Sequence, residues 1–237
     1  MLYSGPSSIK RTRTVNRLAL SLTALMTAAS LSAYEPERAQ RWELYLGPQY
    51  VAGKNIDFGN DAEADINDMT SLMFGFGYNF DNRFNLGMAF SSASANYRGS
   101  AVCAEGSSGC TPGTKETYTS TMYSSALNVT GTYNFLEGNF TPFIQANLGM
   151  TYIDSGISTG QVVDGCYWLP WWGYVCSPYD LTYTGTRFNY GVQAGLRYDF
   201  SNGMFLRGGV GINYIDISHA DNPGFTVYNL GVGFLFD

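Results

Sequence analysis

The chain has 237 residues, of which 14% are charged and 16% aromatic, and 28 are glycine. That composition excludes a disordered segment, and a formal charge of −6 leaves no basic footprint for nucleic acid. Past residue 40 no run of about eighteen apolar residues occurs, which excludes transmembrane helices.

The amino terminus reads as an export device. Lys10, Arg11, Arg13 and Arg17 precede the apolar run Leu18–Leu31, and Leu31-Ser32-Ala33 places small residues before a cut at Tyr34. This layout predicts a signal peptide over 1–33 and a mature domain over 34–237, and the run is short for the competing reading, an anchoring helix. Cleavage takes four of the 13 basic residues and none of the 19 acidic ones, so the mature chain carries a formal charge of −10.

The first predicted strand covers about Trp42–Val51, with Trp42, Leu44, Leu46 and Tyr50 on one face. Pro48 cannot donate to a ladder, so a bulge or bend is expected at Gly47-Pro48. Loop 52–68 is acidic, with Asp57, Asp61, Glu63, Asp65 and Asp68. Its alternate spacing resembles a calcium loop, but Ile66 replaces the sharp-turn glycine and Leu72 the closing glutamate, so no metal site is expected. From Ser71 to Phe90 every second residue is large: Leu72, Phe74, Phe76, Tyr78 and Phe80, the turn Asp81-Asn82-Arg83, then Phe84, Leu86, Met88 and Phe90. A period of two with a tight break is a β-hairpin. Loop 97–117 follows. The fourth strand carries Tyr123, Leu127, Val129, Tyr133 and Phe135. After the turn 136–139 the fifth carries Ile144, Ala146, Leu148, Met150 and Tyr152. Loop 154–182 leads to a sixth with Phe188, Tyr190, Val192, Ala194, Leu196, Tyr198 and Phe200. Beyond Ser201-Asn202-Gly203 the seventh has Leu206, Val210, Ile212 and Tyr214, and the eighth has Tyr228, Leu230, Val232, Phe234 and Phe236.

No Lys or Arg stands on this bulky parity, where each would cost roughly 2–4 kcal/mol at a bilayer midplane. The other parity holds Glu43, Arg187, Arg197, Asp199 and Arg207, with Gln49, Gln145, Asn147, Asn189, Gln193, Asn213 and Asn229. The bulky face is therefore expected to meet lipid and the polar face to line an interior. The fold class that follows is all-β: an eight-stranded antiparallel up-and-down transmembrane β-barrel with short periplasmic turns and long extracellular loops. Side chains fill so narrow a barrel, so the five charged residues are expected to form an interior network rather than a pore lining.

The remaining motifs carry little chemistry. Gly75-Phe76-Gly77 and Gly231-Val232-Gly233 precede no helix and are not nucleotide loops. His219, beside Ser218 and Asp221, is a solvated loop residue in this reading; no catalytic residue and no cofactor is expected. Cys103 with Cys110 and Cys166 with Cys176 each lie within one loop, and in an exported chain they read as two local disulfides rather than a zinc site. Between the second pair lie Tyr167, Trp168, Trp171, Trp172 and Tyr174. Closed by a disulfide, that segment is either a preorganised binding tip or an aromatic cap that covers the barrel mouth or dips into the outer leaflet.

The segments Thr141-Pro142-Phe143-Ile144 with Gly149-Met150-Thr151-Tyr152, Tyr190–Tyr198, and the final strand resemble the small eight-stranded outer-membrane β-barrel proteins, the group of OmpA-type barrel domains and opacity-type surface proteins. Gly231, Phe234 and Phe236 resemble the terminal signal read by the barrel-assembly machinery, although Asp237 follows the last aromatic. The resemblance implies a Gram-negative outer membrane with extracellular loops, contact with lipid and lipopolysaccharide, and a non-enzymatic role in adhesion, receptor contact or envelope integrity through a host or envelope protein. The alternatives are a narrow channel for small hydrophobic solutes, as in OmpW-type barrels, and a lipid A-modifying enzyme, whose His-x-Ser pair is here His219-Ala220-Asp221. No peptidoglycan-binding domain follows the barrel, so no cell-wall tether is expected.

Overall fold

The computed structural model describes residues 37–59, 62–103, 111–169, 173–217 and 222–237, with side chains described outside 162–180. The predicted signal peptide, 1–33, lies outside them. The described residues form ten strands: β1 Trp42–Val51, β2 Lys54–Gly59, β3 Ala62–Ile66, β4 Met69–Asn79, β5 Phe84–Val102, β6 Lys115–Asn134, β7 Phe140–Leu169, β8 Gly173–Asp199, β9 Met204–Ile215 and β10 Gly224–Phe236. Eight of them close an antiparallel ring, in the order β5-β4-β1-β10-β9-β8-β7-β6 with β6 returning to β5. Closure leaves no sheet edge facing lipid, where an unpaired backbone group has no partner.

The two extra strands correct the expected loop 52–68. β2 and β3 form a hairpin that prolongs β1 and β4: Val51↔Met69 is followed by Lys54↔Ile66, and β3 then lies on β5 through Glu63↔Ser100 and Ile66↔Tyr97. The expected loops 97–117 and 154–182 are also largely ladder, since β5 runs to Val102, β6 starts at Lys115, β7 ends at Leu169 and β8 starts at Gly173. The physical reason is that the two-residue hydrophobic period reports one face in lipid. Beyond the lipid the outward face no longer has to be apolar, while Ile56, Ile66 and Tyr97 pack inward, and the ladder continues without the outward apolar period.

Pro48 produces no bulge. β1 pairs β4 without a break, Gly47↔Met73 and Pro48↔Leu72, and its register with β10 is the same at Leu46↔Val232 and Gln49↔Asn229. Only the β10 pairs of Gly47 and Pro48 are missing. A Cβ at Gly47 would fall on the Leu230 carbonyl, so the strands approach closely where the proline cannot donate.

The outward face is apolar throughout the ring. Leu72 is 64% exposed and Met150 61%, and Phe74, Phe90, Leu127, Leu148, Val192 and Leu230 are similar. At the short-turn end Trp42 stacks on Phe76 at 4.9 Å, Tyr78 meets Phe80 at 5.2 Å and Tyr198 meets Phe200 at 4.9 Å, an aromatic girdle. β7 has 30 residues and β8 27. A tilted strand crosses a bilayer in about 9–11 residues. The last β6 pair of β7 is Tyr123↔Asp154 and the last β9 pair of β8 is Asn189↔Ile215, so β7 and β8 continue beyond the ring as a two-stranded ribbon. Its root is pinned where the Ser155 carbonyl accepts from Tyr97 Oη at 3.0 Å and Ser120 Oγ at 3.2 Å.

Candidate functional site

An ion layer crosses the interior near the short-turn end. β1 contributes Glu43, β8 Arg197 and Asp199, and β9 Arg207. These residues alternate with lipid-facing Leu44, Tyr198 and Leu206, so strand parity alone turns them inward. Arg197 Nη1 lies 2.7 Å from Glu43 Oε2 and its Nη2 2.9 Å from Asp199 Oδ1. Arg207 Nη1 is 4.0 Å from Glu43 Oε1. Asn79 Nδ2 donates to Glu43 Oε2 at 3.3 Å. Glu43 is 1% exposed, so the layer excludes bulk water.

Arg38, in the segment before β1, is a member that sequence reasoning missed. Its Nη1 donates to Asp199 Oδ2 at 3.0 Å, and its Nη2 to the carbonyls of Leu136 at 2.9 Å and Gly138 at 3.2 Å. The carbonyl side of Asn82 holds the segment in place by accepting from the backbone N–H groups of Arg38 and Ala39, each at 3.0 Å. No periodicity marks Arg38, because it precedes the first strand. Arg187 was expected in the network and is not in this layer. It stands ten residues from Arg197 along β8, opposite Thr151, which is about 33 Å at an extended rise.

Three guanidinium groups and two carboxylates share the layer, and aromatic faces take up the imbalance. Arg197 Cζ sits 3.9 Å from the Phe205 ring centre, and Arg207 Cζ 4.5 Å from that of Tyr45 and 4.7 Å from that of Phe143. Arg207 Nη2 also donates to Gln145 Oε1. Inward glycines make room for these rings. A Cβ on Gly75 would lie 2.0 Å from Tyr45 Cζ, and one on Gly233 2.3 Å from Phe205 Cζ. Sequence reasoning missed Phe143 and Phe205; the available signal was an inward aromatic opposed by an inward glycine on the neighbouring strand.

Past the ion layer the interior opens into a chamber of about 140 Å³. Its floor is uncharged and polar, with Asn128, Thr130, Gln145, Asn147, Gln193 and Asn213. Two of these amides pair, Asn147 Nδ2 donating to Asn213 Oδ1 at 2.9 Å. Toward the ribbon end the walls become apolar, and the chamber merges with a buried cluster built on Ile56, Ile66, Met69, Tyr97 and Phe225.

On the hairpins, Glu63 pairs with Lys115 Nζ at 2.6 Å, and that hydrogen bond holds its carboxyl below the ordinary range. Cys166 stands directly opposite Cys176 in the β7–β8 ladder. Antiparallel partners have Cα atoms about 4.5–5.5 Å apart, within the span a disulfide bridges. Cys103 follows β5, exchanges backbone hydrogen bonds with Thr114 and Gly113, and is not a free thiol. Cys110, Trp171, Trp172, Asp61, Ser218, His219 and Asp221 lie outside the described residues. Tyr167, Trp168 and Tyr174 are on the ribbon backbone, as Tyr167↔Val175 and Trp168↔Tyr174.

A family model described as "Outer membrane protein beta-barrel domain" matches residues 21–236. No curated protein matches the chain in sequence. Among solved structures, Neisserial surface protein A is similar with a TM-score of 0.52 and 14% identity, covering 82% of this chain and 97% of that one. The outer membrane protein OprG from Pseudomonas aeruginosa is similar with a TM-score of 0.50 and 13% identity, covering 85% and 98%. Ail, the attachment invasion locus protein of Yersinia pestis, solved with the heparin analogue sucrose octasulfate, gives 0.45 and 10%, covering 84% and 99%.

Proposed function

The chain belongs to the outer-membrane β-barrel domain family, and on that premise we propose that it is a non-conducting, non-enzymatic surface barrel of a Gram-negative outer membrane. The short turns face the periplasm and the hairpins face outward. The β7–β8 ribbon carries the contact with a host or envelope protein, and its rim meets lipopolysaccharide. Two disulfides, Cys103–Cys110 and Cys166–Cys176, close the hairpin tips, and the barrel-assembly machinery inserts the chain.

One observation carries this reading: β7 and β8 continue as a ribbon far past their lipid-facing stretch. A barrel that only filled its place in the membrane has no physical use for such strands. The ion layer supports the same conclusion, since opening a solute path through it exposes five buried charged groups now held by one another and by aromatic faces.

Two measurements test the proposal. Purified barrel in planar bilayers is expected to give no unitary conductance; a steady single-channel current would favour the narrow-channel alternative. Cells displaying Trp171→Ala with Trp172→Ala are expected to attach less to host-cell or matrix-coated surfaces, with heat-modifiable gel mobility unchanged. Equal attachment by the two cell lines would remove the ribbon tip from the contact.

A further inference from the structure

The apolar belt of the ring is level at its lower edge and uneven at its upper one. Because the strands tilt, ladder partners stand at different heights. Phe90 pairs with Phe74, Phe74 with Leu46, Leu46 with Val232, Val232 with Leu206, Leu206 with Tyr198, and Tyr198 with Phe140 on β7. In the other direction Phe90 pairs with Leu127, and Leu127 with Met150, also on β7. The two walks reach β7 ten residues apart, so the ladder climbs about one and a quarter residues per strand. With that climb removed, Phe90 stands level with Leu72, Tyr228, Val192 and Leu148 to within about one residue. Below this height the ring is even: Trp42, Phe80, Phe84, Phe135, Phe200 and Phe236 end the band about six to eight residues lower. Above it the two sides part. The next outward residues are Met150 and Tyr152 on β7, Tyr190 and Phe188 on β8, and Ile212 and Tyr214 on β9. On β5 they are Ser92 and Ser94, on β4 Thr70 and on β10 Thr226, while β1 ends in Tyr50. Ser94 stands level with Phe188 and Tyr152 to within about half a residue. The outward apolar stretch therefore spans seven residues on β5, Phe84 to Phe90, and thirteen on β8, Phe188 to Phe200. A tilted strand needs about 9–11 to cross a bilayer. Side chains continue the polar character at β5 and β6, where Ser125 Oγ donates to Ser92 Oγ at 3.2 Å and Thr121 Oγ1 to Asn96 Oδ1 at 2.8 Å.

We infer that the outer leaflet meets this barrel at two heights. Against β10, β1, β4 and β5 the lipid headgroups descend onto a hydroxyl shoulder of Thr70, Ser92, Ser94 and Thr226. Against β7, β8 and β9 they stay about 9 Å higher, three to four residues along strands tilted by about 40°. The shoulder takes headgroups because exposed hydroxyls gain hydrogen bonds from them, and acyl chains offer none. Tilting the whole barrel does not remove the step. The lower girdle is level, so an inclination that evened the upper edge would push one side of the lower edge out of the lipid. The bilayer adapts instead, thinning where the belt is short. The thinned side holds the β1–β10 seam, and the β2–β3 hairpin prolongs β1 and β4 directly above it.

The test uses the folded mature chain in lipid nanodiscs and backbone-amide NMR with two paramagnetic probes. One is a gadolinium chelate dissolved in water, the other a lipid with a nitroxide midway along its acyl chain. The chelate is expected to remove most of the signal of Thr70, Ser92 and Ser94 and to spare Tyr152, Phe188 and Tyr214, which stand at nearly the same height. The acyl nitroxide is expected to do the reverse. Equal loss in the two sets overturns the inference. Shielding of Ser92 and Ser94 from both probes also overturns it, since a second copy or a partner protein then covers the shoulder. Ser92→Leu with Ser94→Leu lengthens the β5 band from seven residues to eleven. In urea the parent is expected to be the more stable of the two in thin dilauroyl bilayers, and the variant in thicker dioleoyl ones. Thr70→Leu serves the same purpose if heat-modifiable mobility shows that the double variant does not fold. The same order of stability in both bilayers overturns the inference. Neither conductance nor attachment enters these readings; a chain that inserts into no bilayer instead fails the outer-membrane reading on which the inference rests.

Discussion

Arg38 Nη1 donates to Asp199 Oδ2 across 3.0 Å, joining residues 161 positions apart whose side chains are both fully buried. A segment outside the ring thus reaches into it and adds a third guanidinium to the layer. Removing one partner of a buried ion pair costs about 3–5 kcal/mol. Asp199 keeps Arg197, so Arg38→Ala is expected at the lower end, about 3 kcal/mol, read from urea unfolding of the barrel in lipid.

The same layer sets the permeability of the lumen. Replacing Glu43 and Arg197 together by alanine removes the closest ion pair of the layer and two long side chains at once. The double variant is expected to show small unitary currents in planar bilayers where the parent shows none. Single replacement of Arg197 is expected to be the more destabilising change, because it leaves Glu43 and Asp199 buried without their shared partner.

Gly75 and Tyr45 are a matched pair. Gly75→Val places a side chain where the Tyr45 ring lies, at a point 2.0 Å from Cζ. The expected loss is about 1–3 kcal/mol, the usual range for overpacking. Tyr45→Ala should relieve most of that loss in the double variant. A double-mutant cycle on urea midpoints checks the coupling, and simple additivity would contradict the contact.

The turn between β4 and β5 introduces a pH dependence. Asp81 Oδ1 accepts from the backbone N–H groups of Phe84 at 2.6 Å and Arg83 at 2.7 Å, and these bonds hold its carboxyl below the ordinary range. A carboxyl depressed on folding stabilises fully above its unfolded pKa of about 3.9, and that contribution is lost as pH falls through the folded value. Melting temperatures of the parent and Asp81→Asn are therefore expected to differ at pH 6, and the difference is expected to shrink as the pH is taken below the ordinary carboxylate range.

The two cysteine pairs give a mass-spectrometric prediction. Alkylation of the native protein is expected to label no cysteine, and alkylation after reduction to label four. Proteolysis without reduction should yield a Cys166–Cys176 peptide pair, in keeping with their opposed positions on the ribbon.

The ring was legible because lipid imposes a parity that every crossing strand repeats: Leu72, Phe74 and Phe76 on β4, or Tyr190, Val192 and Leu196 on β8, leave no second register. The ion layer was legible in part for the same reason. Glu43, Arg197, Asp199 and Arg207 share the inward parity, but parity contains no height along the strand, and so it grouped Arg187 with them. Arg38 was hidden because it precedes any periodic segment. The prolongation of β5, β7 and β8 was hidden because the lipid that imposes an apolar outward face ends before the backbone pairing does. Phe205 was missed because the interior was read from its polar and charged residues alone, whereas the glycine at 233 gives the ring its space.

The ring closes through β1 and β10, Trp42 against Phe236, with Arg41 Nε 2.9 Å from Asp237 Oδ1 beside the seam. The first ring strand to be synthesised therefore waits for the last. Until then every partial sheet has two open edges, which water tolerates and a membrane does not. Sealing this seam needs both ends of the ring, and it involves contacts of the longest range in the chain, the slowest kind to form. The seam makes this barrel a structure that is either completed in the membrane or kept out of it.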